Sequence, residues 1–363
     1  MKKAHSAMAL GCAAALALSA CGAAPEQSSG SGQGAAGDYL ACMVSDEGGF
    51  DDQSFNQSGR EGLEKAEADL GVKTITVESE SSADYPTNID NLIQQNCNII
   101  IGVGFNLAAD LTTAAQANPD VDFALIDAPF TDTSGTVVEL DNAKPLLFTT
   151  AQSAYLAGYA AAAMSKTGTV ATYGGAPIPT VQIFMEGFAK GVAKYNEDTG
   201  ESVKVLGWDP ANRDSGSFVG NFSDTAKGQA LTNQFISQGA DIIMPAAGPV
   251  GLGTLSVVKE SSGEDLVVWV DSDGYESTDG GSLILTSVVK EIGASVYDTV
   301  KESSSGSFSS EPYIGTLENG GVALAPFHDQ EAQVPAEVKT KIEELRKQII
   351  DRTLDVSTPY DPS

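Results

Sequence analysis

The chain is poor in the residues that most catalytic and metal centres use. Its 363 residues include two histidines and four cysteines. His5, Cys12 and Cys21 fall in the first segment, which leaves His328, Cys42 and Cys97 for the body. No CxxC pair or histidine cluster occurs, so the usual structural zinc spacings and a histidine-dependent triad are excluded. Basic residues are also scarce: 20 Lys and Arg stand against 49 Asp and Glu, a formal net charge of −29. Such a surface repels polyanions and no Lys/Arg cluster offsets it, so nucleic acid is not an expected partner. Long apolar runs are missing as well. The nearest, residues 146–164, is interrupted by Thr149, Thr150, Gln152 and Ser153, so nothing reads as a membrane-spanning helix.

What is present begins with an address. Lys2 and Lys3 precede twelve apolar residues, 7–18, too few to span a bilayer but in proportion for a signal peptide. Leu18-Ser19-Ala20-Cys21 follows and resembles the bacterial lipobox, in which the cysteine becomes the lipidated first residue. The alternative is a plain secretory signal with an incidental cysteine. The expected organisation is a signal peptide over 1–20 and a flexible linker over 21–37 carrying lipidated Cys21. The Ser/Gly/Ala-rich linker spans roughly 20–25 Å. The body is then held on the extracytoplasmic face of the cell membrane by lipid alone.

About 340 residues remain after the signal, more than the roughly 250–300 that a single core supports, so two lobes are expected. Strand-like runs at 39–45, 74–77, 98–103, 123–126 and 137–140 alternate with helical patterns at 54–70, 86–95 and 107–117. The plan restarts at an Ala-rich helix, 151–164, and repeats through strands at 169–173, 203–208, 241–245 and 266–271. The fold class is therefore α/β, each lobe a doubly wound, mostly parallel sheet flanked by helices. The lobes are expected over 38–147 plus about 274–308, and over 148–273 plus about 309–363. Segments 313–317 and 322–324 read as a hairpin closing at Asn319-Gly320. Cys42 and Cys97 each begin an apolar run. They form a disulfide if those strands are neighbours, or remain two buried thiols.

Open α/β sheets present ligand groups at the carboxyl ends of their strands. The polar and aromatic residues collected there are Asp46 with Phe55 and Asn56, Asp127, Phe222, Gly248, Asp271 and Lys290, with Gly104-Phe105-Asn106 and Asp273 nearby. Carboxylates accept bonds from vicinal hydroxyls, phenylalanine rings cover a planar base or sugar face, and glycine admits close approach. Lys290 and Arg213 supply the positive charge, and no GxxxxGK[ST] loop occurs, so a phosphorylated ligand is poorly served. A neutral ligand bearing hydroxyls and a ring, such as a nucleoside, fits better. Asp51-Asp52 reads first as a helix cap rather than a ligand contact.

The whole body resembles the basic membrane protein family of bacterial lipoproteins, which includes nucleoside-binding components of ABC importers. The resemblance runs over about 38–355. It rests on Asp46-x-Gly48-x-x-Asp51-Asp52-x-Ser54-Phe55-Asn56-Gln57, Glu186-Gly187-Phe188-x-x-Gly191, Phe222-Ser223-Asp224, Val270-Asp271-Ser272-Asp273 and Leu285-Thr286-Ser287-Val288-Val289-Lys290. It implies a type I periplasmic-binding-protein fold with three crossovers, no enzymatic activity, no cofactor or metal, and a monomer that delivers a nucleoside to an ABC permease. Carried over by position, Phe55 and Phe222 sandwich the base, Asp46 and Asn56 bond its edge, Asp127, Asp271 and Lys290 hold ribose hydroxyls, and Gly248 approaches by its backbone. Gly248-Pro249 departs from the family's Gly-Gly and removes one amide donor, which bears on base preference. Two rival readings stand beside this one. The first keeps the fold with a sugar or signalling metabolite as ligand. The second is a calcium-dependent nucleoside hydrolase, against which Val44 stands where another Asp ligand is needed.

Overall fold

The computed structural model describes residues 38–261 and 265–362. The signal peptide, the linker and Cys21 lie outside the described residues. The first lobe starts with β1 (Leu40–Val44), α1 (Phe55–Leu70), β2 (Lys73–Val77), α2 (Tyr85–Gln94), β3 (Ile99–Val103), α3 (Ala108–Ala117), β4 (Asp122–Ile126) and β5 (Ala143–Phe148). The chain then crosses through α4 (Ala151–Met164) into β6 (Thr169–Gly174), α5 (Pro179–Thr199), β7 (Lys204–Leu206), α6 (Thr225–Ser237), β8 (Ile242–Ala246), α7 (Gly251–Glu260) and β9 (Leu266–Asp271). It ends with α8 (Gly274–Ser277), β10 (Ile284–Lys290), α9 (Ile292–Ser304), β11 (Tyr313–Gly315), β12 (Val322–Leu324) and α10 (Ala336–Ile350).

Two six-stranded sheets result, ordered β11-β5-β4-β3-β1-β2 and β12-β10-β9-β8-β6-β7. All pairings are parallel except β10 with β12. The interior strands are buried on both faces, as continuous Ile/Val runs require when helices cover both sides. Small residues bring α4 and α5 together: a methyl group on Gly158 would strike the Phe188 carbonyl, and one on Gly191 the Tyr155 carbonyl. Cys42 and Cys97 form a disulfide, with Cα atoms 6.0 Å apart, which settles the choice the sequence left open. The geometry follows from the sheet: Cys42 on β1 sits opposite Ile100 of neighbouring β3, just past Cys97.

The sequence boundaries need correction at three points. Residues 274–308 do not all join the first lobe, because β10 pairs with β9 and β12 in the second sheet and only α9 returns to pack on α1. Segments 313–317 and 322–324 are not a hairpin. β11 pairs with β5 of the first sheet and β12 with β10 of the second, although the turn between them is tight, with Asn319 Oδ1 accepting from the amides of Thr316 and Gly321 at 2.8 and 2.9 Å. The run at 137–140 makes no strand; the fifth strand is β5, whose pattern is masked by Lys144 and Pro145. The Lys144 side chain is buried against Glu302 of α9 at 2.6 Å, so a charged residue sits inside a core strand. The chain thus passes between lobes after β5, after β10 and between β11 and β12. Among the described residues no helix is long and apolar enough to cross a membrane.

Candidate functional site

The strand ends of the two sheets face one cavity. All eight residues singled out from the sequence line it: Asp46, Phe55, Asn56, Asp127, Phe222, Gly248, Asp271 and Lys290. Asp273 does not; it caps α8 through the Tyr275 amide at 3.1 Å and meets His328 Nε2 at 2.7 Å. Nor does Arg213. Its guanidinium binds the fully buried Glu186 at 2.7 and 3.2 Å, and Glu186 also accepts from Trp208 Nε1 at 2.9 Å.

The first lobe supplies a polar network. Asp52 accepts from the amides of Ser54, Asn56 and Gln57 at 3.0, 2.8 and 3.0 Å. It therefore satisfies the orphan N–H groups at the start of α1 and fixes Phe55 and Asn56 in place. Asp51 is exposed and pairs with Arg60 at 3.2 Å. The cap reading holds for Asp52, which also lines the cavity, and not for Asp51. Asn56 Nδ2 donates to Asp46 Oδ1 at 2.8 Å and to Asp52 Oδ2 at 3.1 Å, while its Oδ1 accepts from the Asp46 amide at 3.3 Å. Both amide hydrogens are taken, so Asn56 orients Asp46. Asp46 Oδ1 also accepts from the Gly48 amide at 2.9 Å. Its Oδ2 carries no hydrogen bond among the described residues and is the acceptor left to the cavity. Burial pushes the Asp46 carboxyl up to about 6, partly offset by the Gly48 amide and Asn56 and reinforced by the charges of Asp52 and Glu47.

At the other end, Asp127 follows β4 and Asp271 ends β9, both in the left-handed region, at φ 68° and 69°. Non-glycine residues adopt this conformation when surrounding contacts compensate for the strain. Here the compensation is Lys290 at the end of β10. Its buried ammonium bonds Asp127 Oδ2 and lies 3.0 Å from Asp271 Oδ1. Asp271 Oδ1 is buried and makes no aligned hydrogen bond; it meets Lys290 as an ion pair. Rings surround the ammonium: Phe184 at 4.8 Å, Phe55 at 5.0 Å and Phe148 at 5.9 Å from Nζ to centroid. Burial opposes the charge on Lys290, but the two carboxylates outweigh it and hold the ammonium above its ordinary range. Burial raises the Asp127 carboxyl; Lys290 opposes this and Asp271 adds to it. Ser54 Oγ ties the start of α1 to the second lobe, donating to the Val270 carbonyl at 3.0 Å and Asp271 Oδ2 at 3.2 Å.

The second lobe also supplies apolar walls. Phe222 lies directly over Gly175, where a methyl group would collide with its ring. Gly248 has φ 54°, and Pro249 Cδ stands 3.6 Å from where a Gly48 Cβ would be, so the lobes meet at this rim. Phe184 was not singled out from the sequence. It sits on the apolar face of α5, where an aromatic residue reads as core and carries no signal of a site. Four carboxylates, Asp46, Asp52, Asp127 and Asp271, and one ammonium, Lys290, line the cavity. The ammonium is already matched by two carboxylates. The arrangement can accept hydrogen bonds from hydroxyl and N–H groups and cover a flat ring, but offers little to an anion.

Residues 40–358 match the family model described as ABC transporter substrate-binding protein, PnrA-like. That family consists of binding components of transporters, not enzymes. The chain is similar to the ABC transporter nucleoside-binding protein BmpA of Lactococcus lactis subsp. cremoris (strain MG1363), at 31% identity over 88% of this chain and 89% of that one. It is similar to basic membrane protein D of Borreliella burgdorferi (strain JD1), at 32% identity over 70% of this chain and 69% of that one. Among solved structures, an ABC transporter solute-binding protein from Aeropyrum pernix K1 superposes with a TM-score of 0.78 at 24% identity, over 89% of this chain and 94% of that one. That likeness gives the fold, the type I arrangement of two lobes.

Proposed function

The chain belongs to the PnrA-like family of ABC transporter substrate-binding proteins, and from that premise we propose that it binds a nucleoside with a purine base between its lobes and delivers it to a membrane permease for import. The observation that carries this reading is the pairing of a ring-lined space with two strand-end carboxylates, Asp127 and Asp271, held by one lysine. Vicinal ribose hydroxyls donate to such carboxylates, and Phe55 and Phe222 cover the faces of the base. Asp46, oriented by Asn56, takes an N–H of the base edge through Oδ2. Gly248 closes on the ligand by its backbone, and Pro249 withholds a donor beside it. Drying of the site on closure strengthens each of these bonds. In the same proposal Cys21 carries the lipid anchor, and the protein works as a monomer on the extracytoplasmic face.

Calorimetric titration of the refolded chain lacking residues 1–20 tests the reading. Adenosine, guanosine, inosine, cytidine and uridine form the panel, with ribose and AMP as controls. Tight binding of purine nucleosides, weaker binding of pyrimidine nucleosides and none of ribose or AMP is the expected result. Binding of ribose as tight as that of adenosine would move the ligand to a sugar. The anchor is tested separately: Cys21→Ser should release the protein from the membrane fraction, and retention there would sink that assignment.

A further inference from the structure

A second chamber opens beside the ligand cavity. It shares Phe105, Asp127 and Thr180 with that cavity. Its walls come from both lobes and from the C-terminal segment: Leu147 and Phe148 at the end of β5, Ile183 on α5, and Tyr360. Tyr360 is held by an edge-on contact with Trp208, ring centroids 6.3 Å apart, so this wall is anchored to the second lobe. At the rim stands Val137, 58% exposed, one of two large apolar residues left so open among those described. Among the described residues the charged groups lining the chamber are the carboxyl groups of Asp127 and Asp361, with no Lys or Arg. Asp127 marks the boundary between the two spaces and is already matched to Lys290.

We infer that this chamber receives an uncharged apolar substituent carried at the 5′ position of the ligand's sugar. The inference rests on the nucleoside reading. In that reading the vicinal 2′ and 3′ hydroxyls are spent on Asp127, Asp271 and Lys290. The 5′ carbon is then the sugar position that can bear a group past Asp127 without breaking those bonds. A 5′-phosphate is refused: it would enter a space whose charged walls are carboxylates. An alkyl or alkylthio group meets Leu147, Phe148 and Ile183 and leaves water.

The test titrates the refolded chain lacking residues 1–20 with adenosine, 5′-deoxy-5′-butylthioadenosine and AMP. The butylthio compound should bind about tenfold more tightly than adenosine, a conservative share of what burying four carbons contributes, and with a more negative heat-capacity change. Val137→Asp, on the exposed rim, should remove most of that advantage and leave adenosine binding unchanged. Adenosine binding with rejection of the butylthio compound overturns this inference alone. AMP binding as tightly as the butylthio compound overturns its apolar character. Failure of adenosine and the butylthio compound together overturns the nucleoside reading and this inference with it.

Discussion

The two lobes share one plan and put one carboxylate each at the same place, but the walls around those carboxylates differ. Asp127 after β4 and Asp271 at the end of β9 occupy equivalent strand ends, adopt the same left-handed conformation and are both buried. Lys290 binds both, so one cation serves two lobes. Elsewhere the first lobe is polar: Asp46, Asn56 and Asp52 form a closed hydrogen-bond network at the start of α1. The second lobe answers with Val181, Phe184, Phe222 and Pro249. Repetition of the fold gives two matched carboxylates on one lysine; divergence of the strand-to-helix turns makes one wall of the cavity polar and the other apolar.

The largest way to break the symmetry is to remove the shared cation. Lys290→Met would leave Asp127 and Asp271 buried beside each other without a partner. Breaking a buried ion pair by taking one side costs about 3–5 kcal/mol, and denaturant unfolding should show a loss of that size together with loss of nucleoside binding. Full stability in this variant would mean that the two carboxylates are solvated or protonated, and that the lysine is not what holds the strand ends together.

The disulfide is a second asymmetry, because it joins β1 to the turn leading into β3 in the first lobe only, while β6 and β8 of the second lobe carry no cysteine. With a sequence separation of 55, loop-closure entropy assigns it about 4 kcal/mol. Replacing Cys42 and Cys97 with alanine should lower stability by about that amount, with ligand affinity preserved when measured well below the midpoint, since neither cysteine lines the cavity. An unchanged unfolding midpoint would show that sheet packing alone fixes the first lobe.

Much of this was legible from residues alone, for a physical reason. Strand ends such as Val44-Ser45-Asp46 and Val270-Asp271 change from apolar to polar within two residues, and the cavity-lining carboxylates sit where that change occurs. Lobe membership was not legible. β10, with four apolar residues in seven, reads as a strand of either sheet, so nothing local says that it pairs with β9. β11 and β12 flank an Asn-Gly turn that looks like a hairpin while the chain changes sheets. β5 was hidden by Lys144 and Pro145, because the partner that makes Lys144 tolerable, Glu302, is remote in sequence. Phe184 was hidden by the opposite effect: an apolar residue on an apolar helix face carries no sign that it lines a cavity.

The polar wall of the first lobe should reveal itself through pH. The ordinary Asp value of 3.8 is raised to about 6 at Asp46 by burial. Between these values the folded state holds more protons than the unfolded one, so this group's contribution to stability falls as pH rises from 4 to 6 and stays lost above 6. The shift corresponds to about 3 kcal/mol, which Asp46→Asn should remove as a pH-dependent difference between variant and wild type. Binding has the opposite sign in the proposed reading, where an ionised Asp46 accepts from the base edge: affinity should fall as pH drops below about 6. A flat binding profile from pH 5 to 8 would remove Asp46 from the ligand contacts.

The apolar wall gives the smallest effect and the sharpest comparison. Phe222→Ala should weaken nucleoside binding by about 1–3 kcal/mol, the usual worth of an aromatic ring stacked on a base. Phe55→Ala should weaken it similarly but also lower stability, because the Phe55 ring lies 5.0 Å from the Lys290 ammonium at the junction of the lobes. Gly175→Ala separates the ring's presence from its position. It leaves Phe222 intact but sets a methyl group against the ring, which must move off the cavity wall. If Gly175→Ala loses as much affinity as Phe222→Ala at unchanged stability, the second lobe binds through a placed ring. If it binds normally, Phe222 is only part of the wall, and the base is held by the first lobe alone.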